Sequence, residues 1–211
     1  MEQGQKQKTV VFVCTGNTCR SPMAEAVFRS EIKRRQVDAV AYSAGISARG
    51  GDTENINEKS VSVLLENGLS VENFHARRLD ADTLAEASCI VCMTDEQRDL
   101  LMELRWEVLR KVGIEEIENN VLSFSDVCGY EIPDPYGGDM ELYRKTFELI
   151  NQAMPPLFDR LFPAPTPPKK KRGRPRKNPE GTTTPRKKRA KKACEKNTEH
   201  GGETSCKGET L

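Results

Sequence analysis

Cys14 and Arg20 are separated by five small or polar residues in the stretch VFVCTGNTCRSPMAEA, residues 11–26. A thiol, a guanidinium and a short turn between them suit one task, which is holding a tetrahedral oxyanion against a nucleophile. Gly16 is expected to give the turn backbone angles that a side chain resists, so that successive N–H groups point inward. A helix starting at Arg20 would add the partial positive charge of its N-terminus. Arg20 supplies a planar fork that matches two phosphate oxygens at once, which Lys could not do. In that field the Cys14 thiol is expected to ionise, and the thiolate is the form that attacks.

The elements needed to position this loop are legible around it. TVVFVC, residues 9–14, is a continuous β-branched run of the kind found in a parallel sheet covered on both faces. Pro22 and the apolar Met23, Ala26, Val27 and Ile32 predict an amphipathic helix over 20–35. Further strands are expected at 39–45, 89–93 and 119–124. Helices are expected at about 55–67 ending at Gly68, after Asp80 or Asp82, after Thr94, and from about Asp139 to Leu161. Strands alternating with helices predict an α/β fold, a doubly wound four-stranded parallel sheet with helices on both faces. Ligands bind beyond the carboxyl ends of such strands, which is where Cys14 to Ser21 would lie.

CTGNTCR is a C-x5-R loop, and with SPMAEA behind it and DPYGG at 134–138 ahead of the last helix, the chain resembles the low-molecular-weight protein-tyrosine phosphatase family and its protein-arginine-phosphatase branch. The resemblance covers about residues 8–162. It implies a covalent mechanism with Cys14 as nucleophile, Arg20 as phosphate clamp and Asp134 as general acid, without metal or cofactor. It makes Thr15, Gly16, Asn17, Thr18, Cys19 and Ser21 the phosphate-binding loop, supported by Ser43 in YSAG and His75 in HARRL. Substrates would be phosphorylated proteins. Tyrosine-directed members carry a bulky aliphatic residue at the position of Thr18, and the arginine-directed branch carries Thr, so Thr18 tilts the expectation toward phosphoarginine. Tyr136 could stack on either group.

Duller readings compete with each of these. A strand-ending Cys is usually a small buried apolar residue, and that is the reading for Cys89 and Cys92, which would face opposite sides of their strand. Cys128 has no argued role. For Cys14 the duller reading requires Arg20, Gly16, the helix start and DPYGG to coincide by chance. Cys19, close to the nucleophile in one tight loop, is expected to capture oxidised Cys14 as a disulfide. A thiol-coupled arsenate reductase of the same fold shares the loop but relays oxidation through two further cysteines on a mobile helix, where this chain has a strand pattern. A DNA-binding scaffold with a vestigial phosphatase body is the third alternative.

The chain of 211 residues has a formal net charge of +1 that hides a split. Residues 1–162 hold 18 Lys and Arg against 27 Asp and Glu, and residues 163–211 hold 15 against 5. The basic segment is rich in Pro and almost free of apolar residues, so disorder is expected over 163–211, and likewise over residues 1–7. Within it, KKKRGRPRKNPEG (169–181) resembles an AT-hook. Gly173 and Pro175 would let the backbone lie deep and extended in the minor groove of A·T-rich DNA, with Arg172 and Arg174 reaching along it. No apolar run is long enough to span a bilayer. The seven Cys show no disulfide or zinc spacing. The expectation is a cytoplasmic monomer without bound metal, with the basic segment offering association with the nucleoid or with DNA.

Overall fold

Residues 9–14 form a strand because nothing in them favours any alternative, and both faces of that strand are buried. The computed structural model describes residues 7–49, 55–70, 74–114 and 120–163. β1 (Lys8–Cys14) is followed by α1 (Arg20–Arg35), β2 (Ala39–Gly45), α2 (Glu58–Glu66), α3 (Ala81–Glu86), β3 (Cys89–Cys92), α4 (Asp95–Lys111), β4 (Val121–Ser123), α5 (Ser125–Cys128) and α6 (Met140–Leu161). All strand pairs are parallel, in the order β2-β1-β3-β4. The doubly wound α/β sheet read from the sequence is therefore the fold. The order steps from β1 to β2 on one side and to β3 on the other, so the switch point of the sheet lies at the carboxyl end of β1.

The side-chain period of two sorts β1 between two cores. Val10 and Phe12 join α1 and α6 on one face, while Val11 and Val13 meet residues of α3 and α4 on the other. α6 contributes Tyr143, Phe147, Ile150, Met154, Leu157 and Phe158, the spacing of one helical stripe. It runs through Pro155 and Pro156, which are exposed. The carbonyls that lose a partner there belong to exposed Asn151 and Gln152, where water can replace it.

The helix ends follow the sequence closely. Asn57, Asp80, Thr94 and Asp139 each accept a backbone N–H as N-cap of α2, α3, α4 and α6, a contribution of about 1 kcal/mol apiece. Gly68 follows α2 with φ of 70°. The strand expected at 119–124 is shorter, Val121–Ser123. What reads as one acidic loop before α6 contains the single turn of α5, closed by Gly129 in the left-handed region. Among the described residues no helix is long and apolar enough to cross a membrane. The expectations for residues 1–6 and 164–211, including the AT-hook-like segment, lie outside the described residues.

Candidate active site

The end of β1 delivers Cys14, and the start of α1 delivers Arg20 and Ser21, on opposite sides of one loop. That loop is pinned through its backbone on both flanks. Ile46 and Ser47, just past β2, donate to the carbonyls of Cys14 and Thr15 at 3.0 and 2.8 Å, and Asn57 at the head of α2 donates to Thr18 O at 2.8 Å. Thr15, Gly16, Thr18 and Cys19 line a cavity of about 230 Å³ together with Cys14, Arg20, Asp134 and Tyr136. The left-handed residue of the loop is Asn17, with φ of 57°. The sequence reading assigned that freedom to Gly16, whose φ is not positive and where an added Cβ would meet nothing closer than Thr18 Oγ1 at 3.6 Å. Asn tolerates the left-handed region better than most side chains, and here its amide is fully used.

Asn17 is the hub of a buried network. Its Nδ2 donates to Ser21 Oγ at 2.9 Å and to Ser43 Oγ at 2.8 Å, and its Oδ1 accepts from the Arg77 backbone N–H at 2.8 Å. Ser43 donates in turn to Glu25 Oε2 at 2.8 Å, and the other Glu25 oxygen is paired with Arg29 at 3.1 Å. A carboxylate only accepts, so it fixes the direction of every bond behind it. Ser43 must donate to Glu25, which leaves its oxygen to accept from Asn17. Ser21 accepts from Asn17, which leaves its own hydrogen free to point at Cys14 Sγ, 3.0 Å away. The Asn17 N–H is the second donor to that sulfur, at 3.3 Å.

His75 is not part of this network. It is exposed, while Phe74 and Ala76 on either side are more buried, as alternation along an extended segment requires. The segment still supports the loop, but through the backbone of Arg77. Ser43, from the same expectation, does contact Asn17. Three further contacts were not foreseen. Gln97 of α4 donates to Thr15 Oγ1 at 3.2 Å while accepting from Met93 N. Lys59 of α2 bonds the carbonyl of Gly138. An added Cβ on Gly45 would lie 2.9 Å from Asn17 N and from Gly16 C, so the loop rests directly on a strand end without a side chain.

Across the cavity, Arg20 NH2 lies 2.6 Å from Asp134 Oδ2, and NH1 donates to Ile132 O at 3.3 Å. Arg20 is buried, whereas the Asp134 side chain is half exposed and Tyr136 is 75% exposed. Asp134 Oδ1 accepts the N–H of Tyr136 at 3.2 Å. Cys19 is buried under the loop, its sulfur 3.4 Å from Tyr143 Oη. Burial, with the Cys19 contact second, pushes the Tyr143 phenol up, so it stays neutral. Cys89 and Cys92 are buried in β3 and belong to opposite cores. Burial pushes Cys89 up to about 12 and raises Cys92 as well, which makes both poor relays for oxidation.

The profile of the low molecular weight phosphotyrosine protein phosphatases covers residues 9–164. A protein-arginine-phosphatase of Bacillus subtilis is 29% identical over 153 residues, which is 72% of this chain and 95% of that protein. Low molecular weight protein-tyrosine phosphatase A of Mycobacterium tuberculosis is 30% identical over 151 residues, 71% of this chain and 89% of that one. Among solved structures, a cysteine-to-serine mutant of the YwlE arginine phosphatase with a phosphorylated active-site serine superposes with a TM-score of 0.63. It is 26% identical, over 72% of this chain and 95% of that chain. The chain belongs to the low molecular weight phosphotyrosine protein phosphatase family and is a cysteine-dependent, metal-independent protein phosphatase.

Proposed function

We propose that the chain hydrolyses phosphoarginine on proteins, and phosphotyrosine less efficiently, through a cysteinyl-phosphate intermediate. The observation that carries the reading is the meeting of Cys14, Arg20 and Asp134 in one cavity with Thr18 and Tyr136 beside them. The Cys14 thiolate attacks phosphorus in line, forming an S–P bond as the P–N or P–O bond breaks. Arg20 and the loop N–H groups hold the equatorial oxygens, where charge is greatest. The protonated Asp134 carboxyl gives its proton to the departing nitrogen or oxygen. Water then attacks the phosphocysteine, Asp134 accepts its proton, and the thiolate is regenerated as phosphate leaves.

The Arg20–Asp134 pair fits this cycle as its anion-free state. A bound phosphoryl group competes for the guanidinium and frees Asp134 to face the leaving group. The phosphorylated active-site serine of the related arginine phosphatase supports a nucleophile at the position of Cys14. Thr18 supports the guanidinium preference because a short hydroxyl side chain gives an aryl ring less to pack against than an aliphatic one. Comparing kcat/KM for matched phosphoarginine and phosphotyrosine peptides tests this directly. Thr18→Ile is expected to raise the phosphotyrosine to phosphoarginine ratio by roughly tenfold; an unchanged ratio removes Thr18 as the selector.

Two further parts of the reading rest on the sequence. Cys14 and Cys19 are assigned a reversible disulfide that protects the nucleophile from overoxidation. Residues 169–181 are assigned a tether to A·T-rich DNA. Replacing Arg172 and Arg174 by Lys keeps the charge and loses the flat guanidinium, so preference for A·T-rich duplex should disappear in a competition binding assay while weak salt-sensitive binding stays. A preference that survives the double change rules out the AT-hook assignment.

A further inference from the structure

A second cavity, of about 360 Å³, lies between α1 and β2 and shares no lining residue with the one over Cys14. Arg29 and Lys33 come to it from α1, and Arg77 from the segment that braces the loop. Its one carboxylate, Glu25, has one oxygen on Arg29 and the other on Ser43. Lys33 is exposed and makes no ion pair among the described residues, and the Arg77 guanidinium lies over the Tyr42 ring, 5.5 Å from its centroid. Three cations gathered on a body with 27 acidic against 18 basic residues run against the charge of the whole.

The strand beside them is open. β2 ends the sheet, and among the described residues its outer side is paired only at Gly45, by the bridge to Arg78. Backbone groups alternate sides along a strand, so Ala41 shares the outward direction of Gly45 and offers its N–H and carbonyl, while the Ala39 N–H is taken by Val37 O and leaves that residue its carbonyl. A helix alongside a free strand edge is the geometry in which an extended peptide can add as a further strand. Main-chain bonds then supply affinity, and alternate side chains read the flanking pockets. We propose that this groove binds an acidic segment of a partner protein in extended form, paired to β2 and with its carboxylates against Arg29, Lys33 and Arg77. A nucleic acid has no extended amide backbone to pair with β2. A small free anion would leave the strand edge unused.

The groove is tested on the isotope-labelled full chain by amide shifts and hydrogen exchange, using an unphosphorylated peptide of alternating Glu and Val. Saturating inorganic phosphate is present so that the Cys14 cavity is occupied. Shifts across Ala39–Tyr42 and slowed exchange at Ala41, with a shift at Lys33, are expected. A peptide with the same charge but Pro for each Val loses half its backbone donors and is held at φ of about −65° at those positions, away from the extended strand, and should lose the β2 effects. Lys33→Glu should weaken binding by roughly threefold to tenfold at low salt. Shifts confined to 164–211, equal binding of the Pro peptide, unchanged affinity in Lys33→Glu, or β2 shifts that vanish once phosphate is added would each overturn the proposal. So would the same β2 shifts produced by an oligonucleotide or by phosphate alone.

Discussion

The loop from Cys14 to Ser21 and the turn from Asp134 to Gly138 face one another across a single cavity, yet they are held in different ways. In the loop, Cys14, Asn17, Arg20 and Ser21 are all buried, and Asn17 alone makes four hydrogen bonds to Cys14, Ser21, Ser43 and Arg77. In the turn, Asp134 is half exposed, Tyr136 is mostly exposed, and the ties to the body are Arg20 on Asp134 and Lys59 on the Gly138 carbonyl. In the proposed mechanism the nucleophile and the anion clamp are thus preorganised, so they need not be arranged anew at each turnover. The proposed proton donor sits on the more exposed turn, where a leaving group can enter and depart. The ion pair between the halves, Arg20 with Asp134, is in that mechanism the contact that a phosphoryl group replaces.

Removing the reacting atoms should separate the two halves most sharply. Cys14→Ser is expected to lose turnover on the order of 10⁴-fold or more, because the other thiol at the cavity, Cys19, is buried with its sulfur against Tyr143 Oη. Asp134→Asn should lose about 10²- to 10⁴-fold in kcat. The same change removes the carboxylate that competes for Arg20, so inorganic phosphate should bind more tightly by calorimetry. Weaker or equal phosphate binding in Asp134→Asn would mean that the ion pair does not gate the clamp.

A smaller effect is expected from two glycines, one under each half. A methyl group at Gly45 would press on the backbone of Gly16 and Asn17, which cannot move without moving the loop. Gly45→Ala should therefore cost about 1–3 kcal/mol in stability and lower kcat through displaced loop donors. At Gly138 the nearest obstacle is Leu142 Cδ2, the end of a side chain that can turn aside, and the one backbone atom in the way, the Pro135 carbonyl oxygen at 3.0 Å, lies in the turn itself. Gly138→Ala should cost less than about 1 kcal/mol. Denaturant unfolding and steady-state rates on both variants check the contrast, and equal costs would erase the distinction between a rigid and a yielding half.

The same contrast explains what was legible in the sequence. The C-x5-R loop is a contiguous string whose residue types state their chemistry, so Cys14 and Arg20 could be named before any fold was known, whereas DPYGG by itself reads as an ordinary turn and Asp134 was named through the family resemblance. β1 and α1 were legible because their periodicity is undisturbed. The bracing was not, because it is made by residues whose partners are distant in the chain. Gly45 looks like an ordinary strand end until the loop is laid on it. Gln97 looks like a surface helix residue until Thr15 is beside it, and Glu25 like a solvated charge until Ser43 and Arg29 claim its two oxygens. His75 misled for a related reason. The contact from its segment is a backbone N–H at Arg77, which leaves no trace in residue type, and in an extended run a shift of one or two positions moves a side chain to the other face or out of reach.

The finest test of the rigid half uses Cys19, which is buried beneath it with its sulfur 3.4 Å from Tyr143 Oη. Peroxide converts the Cys14 thiolate to a sulfenic acid, and condensation with the Cys19 thiol would form a disulfide and release water. The bond requires the two sulfurs to meet at about 2.05 Å, so Cys19 must leave Tyr143, whose neutral phenol then loses a buried partner. If the loop yields that far, wild-type protein treated briefly with peroxide should regain activity after reduction with dithiothreitol. Cys19→Ala should then recover only in part, because its sulfenic acid proceeds to the sulfinic state. The substitution also costs stability in reduced protein, about 1–2 kcal/mol for the stranded Tyr143 hydroxyl, so recovery is to be compared with an unoxidised sample of the same variant. Full recovery of Cys19→Ala would show that the loop is too firmly held for the exchange, and that Cys19 serves only to fill the space beneath the nucleophile.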